Sequence, residues 1–480
     1  MIKPGIIDIA YIITHGFAAR MLMQTDLLAK LAKRQRKVAV IVTGHDPQLE
    51  QYCSQSDVMY FIFNPNLNLP KTYFQKRRYL TGDVLSNAAL MDKHMHDVWY
   101  SKSKNPVNRI WPFFWLGVNA LRRIFPPSNN LFLKKEQKIL DNLETQEFLQ
   151  KLNPRWVIST YPVNFSEAAI IHNAQKIKGV HTCIHLLSWD NITSKGHFPA
   201  LADKYIAWGP IMKKELQEYY GVNTQDIEMC GVPHFDVHAK IRSTHQYKKR
   251  LVALDLDPEL PYLFFAMSSP YFAPREIDIV EHLAKKIEAG VLKENIQLVV
   301  RPHPQNVQGY LADKSWLPRL EKLNRLKYTA VDFPSLEKDS KINWSISHKD
   351  MQRMAILLSG AAVTLNSGST MSIDALMHFK PVILTSFDGN EKMPYWKSAR
   401  RLIDFPHLKK IIALKGISIA KSESEMKTHI QRYIDNPNFL KEERMYTLQQ
   451  QIFDFKGSAT DLVINKLEKL VDNDKSIHSS

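Results

Sequence analysis

Short apolar runs alternate with stretches of helical periodicity along most of this chain. In the first half the runs are Ile6 to Ile13, Lys37 to Val42, Arg155 to Ser159, Thr182 to Leu187 and Lys204 to Ala207. In the second half they are Tyr262 to Met267, Gln297 to Val300, Ala361 to Leu365 and Pro381 to Thr385. Helical patterns fall between them at Ala18 to Lys33, Lys134 to Lys151, Ser166 to Lys176, Pro210 to Tyr219, Arg275 to Ala289, His348 to Leu358 and Met371 to Met377. Strands that alternate with helices predict a mainly parallel, doubly wound α/β sheet. A chain of 480 residues is too long for one core, so the pattern predicts two such domains.

The series restarts after Gly231-Val232-Pro233-His234-Phe235-Asp236, and the polar segment His238 to Lys249 reads as a linker. The expected organisation is a first Rossmann-like domain over 1–240 and a second over 250–435. A helical tract, 436–471, returns toward the first domain, and a disordered tail covers 472–480. The charged and aromatic stretch Asn64 to Phe132 reads as a looser region.

Lysine and arginine number 64 against 48 acidic residues, a net charge of +16, which favours acidic partners without choosing among them. The basic residues are spread along the chain and no nucleic-acid motif is present, so nucleic acid is not expected as a partner. Cys53, Cys183 and Cys230 are too few and too scattered for a disulfide framework or a metal site, which suits a reducing cytoplasm. The apolar run at Ile6 reads as a first core strand, too short and poorly flanked for a signal peptide, and no stretch is long enough to span a membrane. One segment hints at lipid: Ile110 to Phe125 sets Trp111, Phe113, Phe114, Trp115 and Phe125 among arginines. It reads either as an interfacial anchor on the inner membrane surface or as a helix packed on its own domain.

Two strand ends carry the chemistry. The run Ala361 to Leu365 empties into Asn366-Ser367-Gly368-Ser369-Thr370 before a helix. Backbone N–H groups, hydroxyls and a helix dipole converging there would bind an anion such as phosphate. The run Gln297 to Val300 ends in Arg301-Pro302-His303-Pro304, a cation and an imidazole in a stiff extended turn. Together they suggest a nucleotide-diphosphate pocket. Arg301 pairs either with the phosphate or with an acidic neighbour; Ser268 and Ser269 add hydroxyls to the pocket or shape a turn.

These residues resemble the GT-B glycosyltransferase superfamily, in particular the bacterial surface-polysaccharide enzymes: capsule sialic-acid and Kdo transferases, CDP-glycerol glycerophosphotransferases and the related UDP-GlcNAc 2-epimerase fold. The resemblance rests on Ser188-Trp189-Asp190-Asn191 with Lys195-Gly196, on Gly231 to Asp236, on His303-Pro304 and on Ser367 to Thr370, and covers about residues 155 to 390. It implies two doubly wound Rossmann-like domains facing across a cleft. A nucleotide-sugar or CDP-polyol donor is held by the second, and a glycan or lipid-linked acceptor by the first. His303 would then contact the donor phosphate or nucleotide, or protonate the leaving phosphate, with Ser367, Gly368, Ser369 and Thr370 as the phosphate loop.

Inverting transfer needs a base on the acceptor side. His15, followed by Gly16, ends the first strand, and Asp190 lies beyond the Thr182 to Leu187 strand; both qualify, and their bland readings are a turn-capping histidine and an Asx turn. Glu167 is a weaker candidate, read as a helix-dipole partner. Asp255-Leu256-Asp257 looks like a metal-binding Asp-x-Asp motif but sits in a loop before a strand, and the resemblance implies metal-independent chemistry without a cofactor beyond the donor. The expected function is a cytoplasmic transferase building a surface polysaccharide. The alternatives are a UDP-sugar 2-epimerase, whose acidic pair after the glycine loop is not found because Asp374 stands alone, and a non-catalytic scaffold that binds a nucleotide sugar or glycan.

Overall fold

A computed structural model describes residues 6–69, 73–100, 106–124, 128–241, 245–292, 295–307, 313–337 and 345–478. The chain divides into two compact units. One comprises the residues up to His234 together with Ile452–Asp454 and the segment from Ser458; the other comprises Phe235–Gln451 and Phe455–Gly457.

The first unit is a seven-stranded parallel sheet of β1 (Ile7–Ile13), β2 (Val38–Val42), β3 (Met59–Ile62), β4 (Pro154–Ser159), β5 (His181–His185), β6 (Lys204–Ala207) and β7 (Ile227–Met229). Their order is β3-β2-β1-β4-β5-β6-β7. Every residue of β1 and β2 is buried, as expected of parallel strands covered by helices on both faces. Ile9, Tyr11 and Ile13 pack into one helical layer and Ala10 and Ile12 into the other.

The second unit repeats the plan with β8 (Tyr262–Ala266), β9 (Gln297–Arg301), β10 (Thr329–Val331), a short antiparallel hairpin of β11 (Leu336–Glu337) and β12 (Ser345–Ile346), then β13 (Val363–Asn366), β14 (Val382–Thr385) and β15 (Ser418–Ala420). Its six-stranded sheet runs β10-β9-β8-β13-β14-β15, and every pair in it is parallel. In both sheets the chain reverses its direction of winding at one point, between β1 and β4 and between β8 and β13. Such a switch point leaves a crevice outside the strand carboxyl ends.

Several expectations change. The segment read as a linker forms the helices Asp236–Ile241 and Gln246–Val252 within the second unit, because Asp236, His238 and Leu251 are buried there. The looser region is largely helical, with Tyr73–Thr81, Ala88–Tyr100, Pro106–Ile124 and Ser128–Leu140; the first three close over a small cluster of Tyr79, Val84 and Leu90 backed by Trp115 and Leu116. The tract after 436 is shared: the helix Lys441–Gln451 belongs to the second unit and Ala459–His478 to the first. The latter helix runs into the expected tail, and its Val463, Ile464, Leu467 and Val471 are part of the core against β1 and β2.

The aromatic helix Pro106–Ile124 has two faces. Trp115 and Leu116 pack inward, whereas Ile110, Trp111, Phe113, Phe114, Leu121 and Ile124 are exposed, Ile110 at 66% and Ile124 at 69%. Phe125 lies outside the described residues. Among the described residues no helix is long and apolar enough to cross a membrane.

Candidate functional site

In the second unit the loops after β8, β9 and β13 emerge from adjacent strands and are tied together by buried groups. Glu276, in the first turn of the helix Glu276–Glu288, is buried. One of its carboxylate oxygens accepts from the Ser268 backbone N–H after β8 at 2.6 Å, and the other accepts from the Ser367 hydroxyl after β13 at 2.5 Å. The Ser367 hydroxyl also meets Thr385 at 2.9 Å. Asn306, after β9, donates to the Ser268 carbonyl at 3.0 Å. Burial raises the Glu276 carboxyl to about 7, despite the hydrogen bonds from Ser367 and Ser268 that favour its ionised form.

The hydroxyl loop is built differently from the expected nest of free N–H groups. Gly368, at φ +110°, where a side chain would strain the backbone, donates its N–H to the Asn366 side chain at 2.8 Å, and Ser369 does so at 3.0 Å. The Asn366 amide therefore folds the loop and takes up two of its backbone donors. Ser367 is turned inward to Glu276. Ser369 is half-buried and Thr370 exposed, and the Thr370 hydroxyl does not cap the helix Met371–Met377. The Ser369 hydroxyl accepts from the Met371 N–H at 3.3 Å and keeps its own O–H to donate, while Thr370 is exposed.

His303 accepts the Gln305 N–H on Nδ1 at 3.1 Å. Burial lowers its pKa to about 4, so at neutral pH the ring is uncharged, and the bonded Nδ1 places the proton on Nε2. It presents an N–H donor. Arg301 resolves to its acidic neighbours: the guanidinium is buried and bonds both Asp332 and Asp350, which also bind Arg250 and Arg353. Of the two readings of Arg301, the structure shows the acidic-neighbour one: its guanidinium is held by two aspartates of its own fold. Ser269 shapes a turn, its hydroxyl accepting from the Tyr271 N–H at 3.3 Å. Asp374 pairs in the core with His238 at 2.8 Å.

In the first unit the loops after β1, β4 and β5 carry a second polar cluster. Glu167 is buried and accepts from Thr14 Oγ1 at 2.6 Å after β1, and from Ser159 Oγ at 2.6 Å and the N–H groups of Thr160 and Tyr161 at 2.8 Å after β4. It bridges the switch point as Glu276 does, and its role is to pin two strand ends. Each glutamate lies eight residues after a strand-end serine that it bonds, but no signal in the sequence marked Glu276, whose second partner Ser367 comes from a distant strand.

His15 caps the helix Gly16–Gln24, its Nδ1 accepting from the Phe17 N–H at 3.2 Å, and its ring lies 5.3 Å from Tyr161. Partial burial, then the positive charges of Lys195 and Arg20, lower its pKa. Asp190 accepts from Ser188 Oγ at 2.6 Å and pairs with Lys195 at 3.0 Å, while Lys195 also stands over the Tyr161 ring at 5.2 Å. The Asp-x-Asp segment is a loop, as expected, with Asp257 accepting from the Glu259 N–H at 2.8 Å. Among the described residues no group of three His, Cys, Asp or Glu could hold a metal ion.

No family model matches the sequence, and no curated protein is significantly similar to it. Solved structures match over nearly the whole chain. The UDP-GlcNAc 2-epimerase from Neisseria meningitidis bound to UDP-GlcNAc is 12% identical, with 96% of this chain and 100% of that one aligned at a TM-score of 0.52. MnaA of S. aureus with UDP is 10% identical over 97% of each chain at 0.50, and a glycosyltransferase from Rickettsia africae is 10% identical over 98% and 99% at 0.49. The chain has the GT-B fold of two Rossmann-like domains. At such identities the likeness defines the architecture and not the reaction.

Proposed function

We propose that this protein is a GT-B glycosyltransferase, or a transferase of a nucleotide-activated polyol phosphate, that builds a bacterial surface polysaccharide such as a capsule. The observation that carries this reading is the convergence of three polar strand-end loops on Glu276 and Asn306 at the switch point of the second sheet, where a doubly wound sheet takes its nucleotide. The donor's phosphates lie against His303, Ser369 and Thr370. As the bond to the transferred group breaks, the leaving phosphate gains charge, and the neutral His303 Nε2–H with the two hydroxyls stabilises it.

The acceptor binds the first unit, and Asp190 takes the proton of its attacking hydroxyl. His15 is unsuited to that step because its Nδ1 lone pair already receives the Phe17 N–H, which leaves Nε2 protonated in the neutral ring; it acts as a hydrogen-bond donor. No metal or further cofactor enters this scheme. The protein works in the cytoplasm at the inner face of the membrane, which it touches through the exposed stripe of the helix Pro106–Ile124.

The test is a thermal-shift series with CMP, CDP, UDP, GDP and their sugar conjugates, since a ligand of the native state raises its melting temperature by mass action. One nucleotide class should shift the wild type and fail to shift His303→Ala. Asp190→Asn should keep the shift and lose about 10²–10⁴-fold in turnover. Absence of any shift overturns the donor site. Deuterium entering sugar C2 from heavy water, without acceptor, would make the protein an epimerase, and a shift without hydrolysis or transfer would make it a scaffold.

A further inference from the structure

Lys93 stands out in the first unit. It is half-buried, its Nζ donates to the Ser194 carbonyl at 2.7 Å, and among the described residues it forms no ion pair. It reaches from the helix Ala88–Tyr100 into the loop that carries Asp190 and Lys195. Burial, then the charge of Arg78, lower it to about 8, with Lys195 adding to the effect and Asp190 and Asp92 opposing it. Arg78 has its own partner in Asp97 at 3.0 Å, and Lys195 has Asp190. Among the described residues Lys93 is the cation of this group without a contact ion pair, and a charge withdrawn from water without a close partner is costly.

Two further donors lie in the same cluster. Asn191 is buried, its carbonyl oxygen accepts from Lys195 at 3.1 Å, and its Nδ2 has no hydrogen-bond partner. His15 turns its acceptor nitrogen to Phe17 and so presents Nε2–H. The cluster is rich in donors and positive charge, and Asp190 is its acceptor.

We propose that this cluster binds an anionic group of the acceptor, a phosphate ester or a carboxylate, with Lys93 as the principal counter-ion and Lys195 and His15 as supporting donors. The inference rests on the proposed transferase reading and adds to it the acceptor's chemical class: an acidic glycan or polyol phosphate rather than a neutral sugar. A bound anion would complete the charge of Lys93. It would also place a hydroxyl of the same molecule beside Asp190.

Calorimetric titration of the full chain tests it, with glycerol 3-phosphate as the phosphate probe, galacturonate as the carboxylate probe and glycerol as the neutral control. At least one anion should bind, glycerol should not, and the anion that binds names the acceptor group. Lys93→Met should weaken binding at least tenfold with an unchanged circular dichroism spectrum, and Lys93→Arg should restore most of it. Because a phosphate could enter the nucleotide loop instead, His303→Ala is titrated in parallel and should bind the anion as the wild type does. Equal affinity in Lys93→Met, loss in His303→Ala, or no binding of either anion to the wild type each overturns the acceptor-anion site. The nucleotide shift of the wild type is read separately, so failure here leaves the donor assignment standing.

Discussion

Glu276 ties together the strand-end loops after β8 and β13. Its carboxyl sits near 7 because burial penalises the ionised form, so the folded protein holds a proton that the unfolded chain releases at ordinary carboxyl pKa values. Below pH ~4.5 both states are protonated and the contribution to stability is complete; as pH rises toward 7 the unfolded chain ionises first and the contribution is lost, by up to about 3 kcal/mol. The melting temperature should therefore fall between pH 5 and 8 more steeply in the wild type than in Glu276→Gln, whose amide can receive the Ser268 N–H and donate to Ser367 as the protonated acid does. Parallel slopes in the two proteins would refute this. That His303, Ser369 and Thr370 follow strand ends was legible in the sequence, because the apolar runs before them mark those ends. Glu276 was not, since a glutamate in a first helical turn looks like any dipole partner until the fold brings Ser367 across from a strand about ninety residues away. Arg301 shows the reverse case: its strand-end position is visible in the sequence, but the two aspartates that claim it are brought up by folding.

At the scale of elements, all the interior strands of both sheets were readable and all four edges were missed: β3 and β7 in the first sheet, β10 and β15 in the second. An interior parallel strand is covered on both faces and writes itself as an unbroken apolar run. An edge strand is short and mixed; no residue of β3 is fully buried, and β15 is Ser418–Ala420. Its strand character comes from a neighbour's ladder and not from its own composition. The aromatic helix was legible as amphipathic but not as to which side faces out. Its exposed large apolar residues are at positions 110, 111, 113, 114, 121 and 124, one face of a 3.6-residue period with Trp111 at its edge, and Pro106–Ile124 contains no acidic residue. If that stripe meets anionic lipid, replacing Trp111, Phe113 and Phe114 by serine should cut partitioning onto phosphatidylglycerol vesicles at least tenfold while the protein stays soluble. Trp115→Ser should instead destabilise the small cluster beneath. Unchanged partitioning of the triple variant would remove membrane contact from the proposal.

At the scale of the whole molecule, the first unit is completed by the other end of the chain. The helix Ala459–His478 sets Val463, Ile464 and Leu467 into the same core as Leu28 and Val40, and Arg34 and Arg36 pair with Glu468 and Asp472 on it. Gly231, at φ +78°, lies so close to Asp454 and Ala459 that an added Cβ would sit 2.9 Å from the Asp454 carbonyl oxygen. Ile464→Ala should cost about 2–5 kcal/mol through the cavity it leaves, seen as a lower denaturant midpoint, whereas exposed Lys469→Ala should change it little; equal effects would show that the helix is not part of the core. The sequence by itself determined the α/β class, the two-fold repetition of the sheet and the positions of the loops that end its strands, because apolar periodicity and strand-end chemistry are local properties. Tertiary structure alone decided the sheet edges, the partners of Arg301, the twin glutamates at the switch points and the burial of Lys93 against the Ser194 carbonyl, because each depends on residues far apart in the chain that come within hydrogen-bonding distance after the sheets are wound.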